Sequence, residues 1–202
     1  MSGTPATMDA KLIPTATQTA GPFFHFGLVR PEWADLADGG KAKGDRIVLE
    51  GRVTDGDGSP LPDAIVEIWH ANAAGKYAHP DDKQDKPLDP HFRGFGRVFT
   101  DKDGIYLFTT VKPGAVPGRG NALQAPHIAV SIAARGLLHH LFTRVYFAGE
   151  SLNASDPVLA TIDDPARQRT LIAAPNGKAN GAAVWRFDIA LQGKGETVFF
   201  DF

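Results

Sequence analysis

The sequence predicts an all-β fold, a β-sandwich of about eight short strands with an N-terminal arm and one short helix. Three observations lead there. The 202 residues include 22 Gly and 15 Pro, yet 43% are hydrophobic, so the turn formers punctuate a packed domain rather than dilute a disordered one. Short apolar stretches with period-two spacing recur between those turn clusters. Only one stretch, 163–174, carries the start signals of a helix, an Asp cap followed by an early Pro.

Residues 1–22 are rich in Ser, Thr, Pro and Ala and read as an extended arm ahead of one domain, 23–202. Phe23, Phe24 and Phe26 argue that the arm packs on something, because a free tail would leave three aromatics in water. A helical turn is expected over 32–38 and a loop from Gly39 to Gly44. The sheet begins with Ile47 to Asp55, where Ile47, Leu49, Gly51 and Val53 share a face. Asp55-Gly56-Asp57-Gly58 turns the chain into Ala64 to Ala71, apolar on both sides of Glu67 and therefore central. A long loop, 72–96, follows, of the kind that serves function or an interface. Arg97 to Thr100 and Ile105 to Val111 read as a hairpin about Asp101-Lys102-Asp103-Gly104.

Lys112-Pro113-Gly114 leads through a Gly-rich loop to His127–Arg135, where Ile128, Val130 and Ile132 form one face. Gly136 ends that strand, and Leu141 to Phe147 alternates again. The helix predicted over Asp163 to Ala174 stops at Pro175-Asn176-Gly177. Val184 to Leu191 and Thr197 to Phe202 close the sheet.

The formal net charge of -2 leaves no basic face for nucleic acid. With no Cys, disulfides and thiolate metal sites are excluded, and a cytoplasmic chain is expected. No run of seven apolar residues marks a signal peptide, and none approaches a membrane span.

Few residues suggest chemistry by themselves. His139 and His140 are adjacent, so in a strand their rings point apart; they read as surface turn residues. His70, His79 and His91 are scattered, and His127 reads as a hydrogen-bonded structural residue at a strand start. Tyr106 and Tyr146 fit core positions. Asp81-Asp82 and Asp163-Asp164 read as solvated or capping carboxylates. Gly118-Arg119-Gly120 lacks the strand–helix context of a phosphate loop.

One set of motifs is more specific. Pro126-His127-Ile128, Ser131-Ile132, Ala134-Arg135-Gly136, Thr143-Arg144 and Tyr146-Phe147 resemble the intradiol ring-cleavage dioxygenases. So do Thr19-Ala20-Gly21-Pro22, Val66-Glu67-Ile68-Trp69, Thr100-Asp101 with Gly104, and the octet Gly195 to Phe202. The resemblance implies a ferric ion bound by two Tyr and two His. Here those positions hold Gln84, Val116, His127 and Ala129, and an arginine position holds Gln124. Three of four ligands are missing, so this chain is expected to supply no metal ligand and no catalytic residue.

The likeness is greatest to the alpha chains of two-chain members, whose homologous beta partner holds the Fe(3+). It implies that Thr19, Gly21, Pro22 and Arg135 line the partner's substrate pocket, with Phe23 standing where a Tyr is common. Arg135 is eight residues from His127, roughly 26 Å along an unbroken strand, and so too far to serve that decayed pocket. The implied reaction is O2-dependent cleavage of 3,4-dihydroxybenzoate to 3-carboxy-cis,cis-muconate, in the β-ketoadipate route of aromatic catabolism. The chain would not act alone. The alternative is a non-enzymatic, transthyretin-like β-sandwich binding module, which shares the Gly51-Arg52-Val53 and Asp63-Ala64 patterns but not the arm or the octet.

Overall fold

A computed structural model of the chain describes residues 24–28, 30–118 and 122–201. The arm 1–22, with Thr19, Gly21 and Pro22, lies outside the described residues, as do Phe23 and Phe202. Eleven strands are described: β1 Arg46–Thr54, β2 Ile65–Trp69, β3 Phe95–Phe99, β4 Ile105–Val111, β5 Val116–Pro117, β6 Leu123–Gln124, β7 His127–Ala133, β8 Leu141–Phe147, β9 Ile172–Ala179, β10 Ala182–Arg186 and β11 Ile189–Ala190. Two short helices, α1 Phe24–Leu28 and α2 Pro165–Arg169, and four 3-10 turns complete them. No described helix is long and apolar enough to cross a membrane.

Two sheets face each other. In one, β1 is flanked by β4, antiparallel, and β10, parallel, with β9 beyond β10. In the other the order is β3-β2-β7-β8, all antiparallel. Strand β9 belongs to both: Ile172 and Ala173 run parallel to the end of β8, and Ala174 onward pairs with β10. Alternation along each strand sends Leu49, Val53, Val66, Ile68, Ile128, Val130, Ile132 and Val145 into one buried core between the layers. Gly51 is fixed by close approach, since a Cβ there would stand 1.8 Å from the Phe187 carbonyl oxygen. Tyr106 donates its buried hydroxyl to that same carbonyl at 2.5 Å. Both Tyr106 and Tyr146 are core residues, as the strand pattern predicts.

Three elements differ from the sequence reading. The predicted helix 163–174 survives only as α2, with Asp164 accepting from the Ala166 amide at 2.7 Å as the cap. Ile172 onward is strand, because pairing with β8 and β10 outweighs weak local helix preference; Pro175-Asn176-Gly177 therefore sits inside β9. The turn at 101–104 forms, but β3 and β4 join different sheets instead of pairing as a hairpin. At the C-terminus, residues 192–199 form no strand; a single bridge, Phe142 to Phe200, ties the segment to β8.

Candidate functional site

Strand β7 places His127, Ala129 and Ser131 on its outer face, opposite the core-facing Ile128, Val130 and Ile132. Register fixes their neighbours. Ala129 lies between Trp69 of β2 and Arg144 of β8, and His127 lies beside Tyr146. The long loop 70–94 and the β5–β6 ribbon frame this face and leave an open cleft of about 840 Å³. Gln84 and Val116, two positions matched to metal ligands, line that cleft together with Trp69 and Tyr77. Ala129 lines a smaller adjoining cavity of about 190 Å³ that also includes Trp69. The fold thus gathers the four sequence-matched positions on one side of the second sheet.

The loop is held from within. Asn72 accepts from the amides of Ala74 and Lys76, both at 3.0 Å, and donates to the Pro87 carbonyl at 2.9 Å. Lys76 and Asp82 form a buried ion pair at 3.1 Å. Asp82, read from sequence as solvated, is instead the loop's hub. Its carboxylate also accepts from the amides of Tyr77 and Gln84 at 2.8 and 2.9 Å. Burial opposes its ionisation most strongly, but those amide bonds and Lys76 together outweigh it and hold the acid well below the usual carboxylate range. Gln84 is oriented by donating to Gly75 O and Asp82 Oδ2. Tyr77 stacks on Trp69 with ring centroids 6.0 Å apart and planes 12° from parallel.

This donor set does not fit a ferric ion, a hard cation that favours anionic oxygen ligands. Val116 and Ala129 carry no donor atom, and Gln84 has turned its amide nitrogen inward onto the loop. His127 is buried, with Nδ1 on the Ala125 carbonyl at 2.8 Å and its ring 5.7 Å from that of Tyr146. Burial, with the nearby Arg144 charge, lowers its pKa to about 4, so it is neutral at pH 7. Among the described residues no three His, Asp or Glu side chains converge on one point. His70 is likewise buried and committed, to Ala71 O and Thr110 Oγ1, both at 2.8 Å.

Arg135 does not end a strand on the His127 face, because β7 stops at Ala133, so no unbroken strand separates Arg135 from His127. Arg135 is exposed in the β7–β8 turn and lines none of the cavities described here. His139 and His140 are exposed in the same connection.

The residue that sequence reasoning missed is Arg144. Its guanidinium donates to Gln124 Oε1 at 2.6 Å, and Gln124 Nε2 donates to Pro117 O on the cleft wall at 3.1 Å. Beneath, Asp156 accepts from the Ala125 amide at 2.8 Å, from the amides of Val158 and Leu159 at 2.9 Å, and from the Tyr146 hydroxyl at 3.1 Å.

Comparisons with known proteins agree with the geometry. A protein-family model described as Dioxygenase matches residues 20–193. Over 209 residues the chain is 43% identical to the protocatechuate 3,4-dioxygenase alpha chain of Pseudomonas putida, covering 96% of this chain and 100% of that one. It is 42% identical over 165 residues to the protocatechuate 3,4-dioxygenase beta chain of Burkholderia cepacia, covering 78% and 69%. Among solved structures, the catechol 1,2-dioxygenase of Pseudomonas arvilla C-1 superimposes with a TM-score of 0.61 at 27% identity, over 79% of this chain and 56% of that one.

Proposed function

Since the chain belongs to the intradiol ring-cleavage dioxygenase family, we propose that it is the alpha subunit of a protocatechuate 3,4-dioxygenase. The observation that carries this reading is the full-length match to an alpha chain, 43% identical over the whole of that relative. A match of similar identity to a beta chain supports a homologous partner. The ferric ion is assigned to that partner, because the positions on this chain lack the donors to hold it. Iron supplies the chemistry that makes a catechol reactive toward O2; the work of this chain is to shape and charge the partner's pocket.

Within that reading, Thr19, Gly21 and Pro22 of the arm and Arg135 of the β7–β8 turn line the partner's substrate site. The exposed position of Arg135 leaves its side chain able to reach a neighbouring chain. A guanidinium there would face the carboxylate of 3,4-dihydroxybenzoate with a planar pair of donors. The arm would close the pocket to water, which strengthens every charge interaction inside it.

Co-expression with a beta-type chain tests the proposal. The expected result is a co-purifying assembly that consumes O2 with 3,4-dihydroxybenzoate and forms 3-carboxy-cis,cis-muconate, while neither chain alone reaches that rate. Full activity of this chain alone, or of the beta-type chain alone, would overturn it.

A further inference from the structure

The C-terminal segment joins the two layers without being a strand of either. At one end Thr197 meets β11, which runs beside β1: its amide donates to the Ala190 carbonyl, and its hydroxyl accepts from the Ala190 amide, both at 3.0 Å. At the other end it meets β8. Thr143 donates its hydroxyl to the Val198 carbonyl at 2.7 Å, and the Phe200 amide donates to the Phe142 carbonyl at 2.8 Å. Between them the Val198 amide bonds to Thr170 Oγ1 at 3.1 Å, and Arg167 donates to the Glu196 carbonyl at 2.9 Å. Side chains alternate in the same way. Phe199 packs on the core between the layers, while Val198 and Phe200 pack on a second cluster about Tyr146, Leu159 and Leu171.

These bonds all run to other elements, so residues 196–201 act as a clasp. Strand β8 has β7 along one side, and on its other side β9 meets only Tyr146 and Phe147. Among the described residues the clasp takes the remainder of that edge, through the Phe142–Phe200 bridge. The chain enters the clasp through an exposed turn, 192–195, closed by the Glu196 amide on the Gly193 carbonyl at 3.1 Å. Gly193 and Gly195 hold φ of +92° and +85° there.

We propose that the clasp is exchangeable, so that two copies of this chain form a dimer in which residues 196–201 of each lie on β8 and β11 of the other. The occupant of the edge is a second copy because the segment that fits it is the one seated on it. Every bond named above re-forms across the copies, and only the turn changes. That turn gives the balance a handle. A Cβ on Gly195 would meet nothing within 4 Å, so Gly195→Ala adds backbone strain without a clash. An extended hinge takes the residue out of the left-handed region and relieves the strain, which favours exchange. The inference concerns the chain by itself and does not depend on a beta-type partner.

The test is size-exclusion chromatography with light scattering on the full-length chain over a concentration series. Gly195→Ala should raise the dimer association constant about a hundredfold, roughly tenfold for each of the two hinges. Connectivity is read separately. The chain has no Cys, and the bridge partners Phe142 and Phe200 sit within disulfide reach, so Phe142→Cys with Phe200→Cys reports which copy a clasp lies on. Oxidation of the isolated dimer of that variant should link two chains on a non-reducing denaturing gel, whereas its monomer should close within one chain. A Gly195→Ala chain no more dimeric than the parent would overturn the proposal. So would a dimer whose oxidised chains separate on that gel. Should the double-cysteine chain not fold, the Gly195→Ala comparison decides alone.

Discussion

Replacing Asp156 by Asn removes one charge and moves few atoms, so it isolates what that carboxylate does. The side chain is 1% exposed and sits beneath the candidate site. One oxygen accepts from Tyr146, Val158 and Leu159, and the other from the amide of Ala125. An asparagine can keep its carbonyl oxygen on the first three donors only by turning its NH2 toward the Ala125 N–H. One buried bond is then lost and two donors face each other. A charge-assisted bond is worth roughly 1.5–3 kcal/mol and a stranded buried amide roughly 1–3 kcal/mol; the two overlap, giving a loss of about 2–4 kcal/mol. For a chain of this size that lowers Tm by roughly 5–15 °C. Thermal melts followed by circular dichroism measure it directly. Tyr146→Phe, which removes one donor and leaves the carboxylate intact, should cost about 1 kcal/mol. The effect should also reach the cleft, because Ala125 carries the carbonyl that holds His127. An Asp156→Asn protein that melts within a degree of the parent would refute the claim that this carboxylate ties β6 and β7 to the segment that follows β8.

Three further outcomes follow from the same structure. His70 and His127 are held neutral by burial, each with a pKa lowered to about 4, so the unfolded chain binds more protons than the folded one between pH 6.5 and about 4. Their contribution is intact above pH 6.5 and is lost as pH falls through that window, by up to about 3 kcal/mol for each; urea midpoints that stay flat from pH 7 to 4.5 would contradict it. Gly51→Ala should abolish soluble folded protein, since the added carbon would overlap the Phe187 carbonyl at 1.8 Å; a normal melt for that variant would contradict the packing described. In the assembled enzyme, Arg135→Ala should lower kcat/KM for 3,4-dihydroxybenzoate by ~10–150-fold without changing iron content, with Arg135→Lys recovering part of the loss, and unchanged steady-state kinetics would remove Arg135 from the substrate site.

Much of the fold was legible from residue spacing. β1, β2, β7 and β8 announce themselves by alternation, and the Asp164 cap and the core positions of Tyr106 and Tyr146 follow from local rules. What local rules cannot supply is the identity of a strand's partner. The Asp101–Gly104 turn looks alike whether its strands pair or part, and here they part into different layers. The stretch after α2 has no strong preference of its own and becomes strand because β8 and β10 lie ready on either side. The candidate site follows the same division. The absence of metal donors at Gln84, Val116 and Ala129 was readable through the family resemblance. Arg144 was visible only as part of a motif, because its meaning depends on the register that sets it opposite Ala129 and within reach of Gln124. The buried Lys76–Asp82 pair was missed for a related reason: two adjacent aspartates in a polar loop give no sign of which one turns inward.

In the proposed division of labour this chain keeps the family fold and the ferric ion is held by its partner. Iron content per chain, measured by elemental analysis on this chain alone, on a beta-type chain alone and on their complex, addresses it most directly. Negligible iron is expected in this chain alone, with one ferric ion per pair in the complex and a tyrosinate-to-iron absorption band that appears only when the beta-type chain is present. Stoichiometric ferric iron in this folded chain by itself would contradict it.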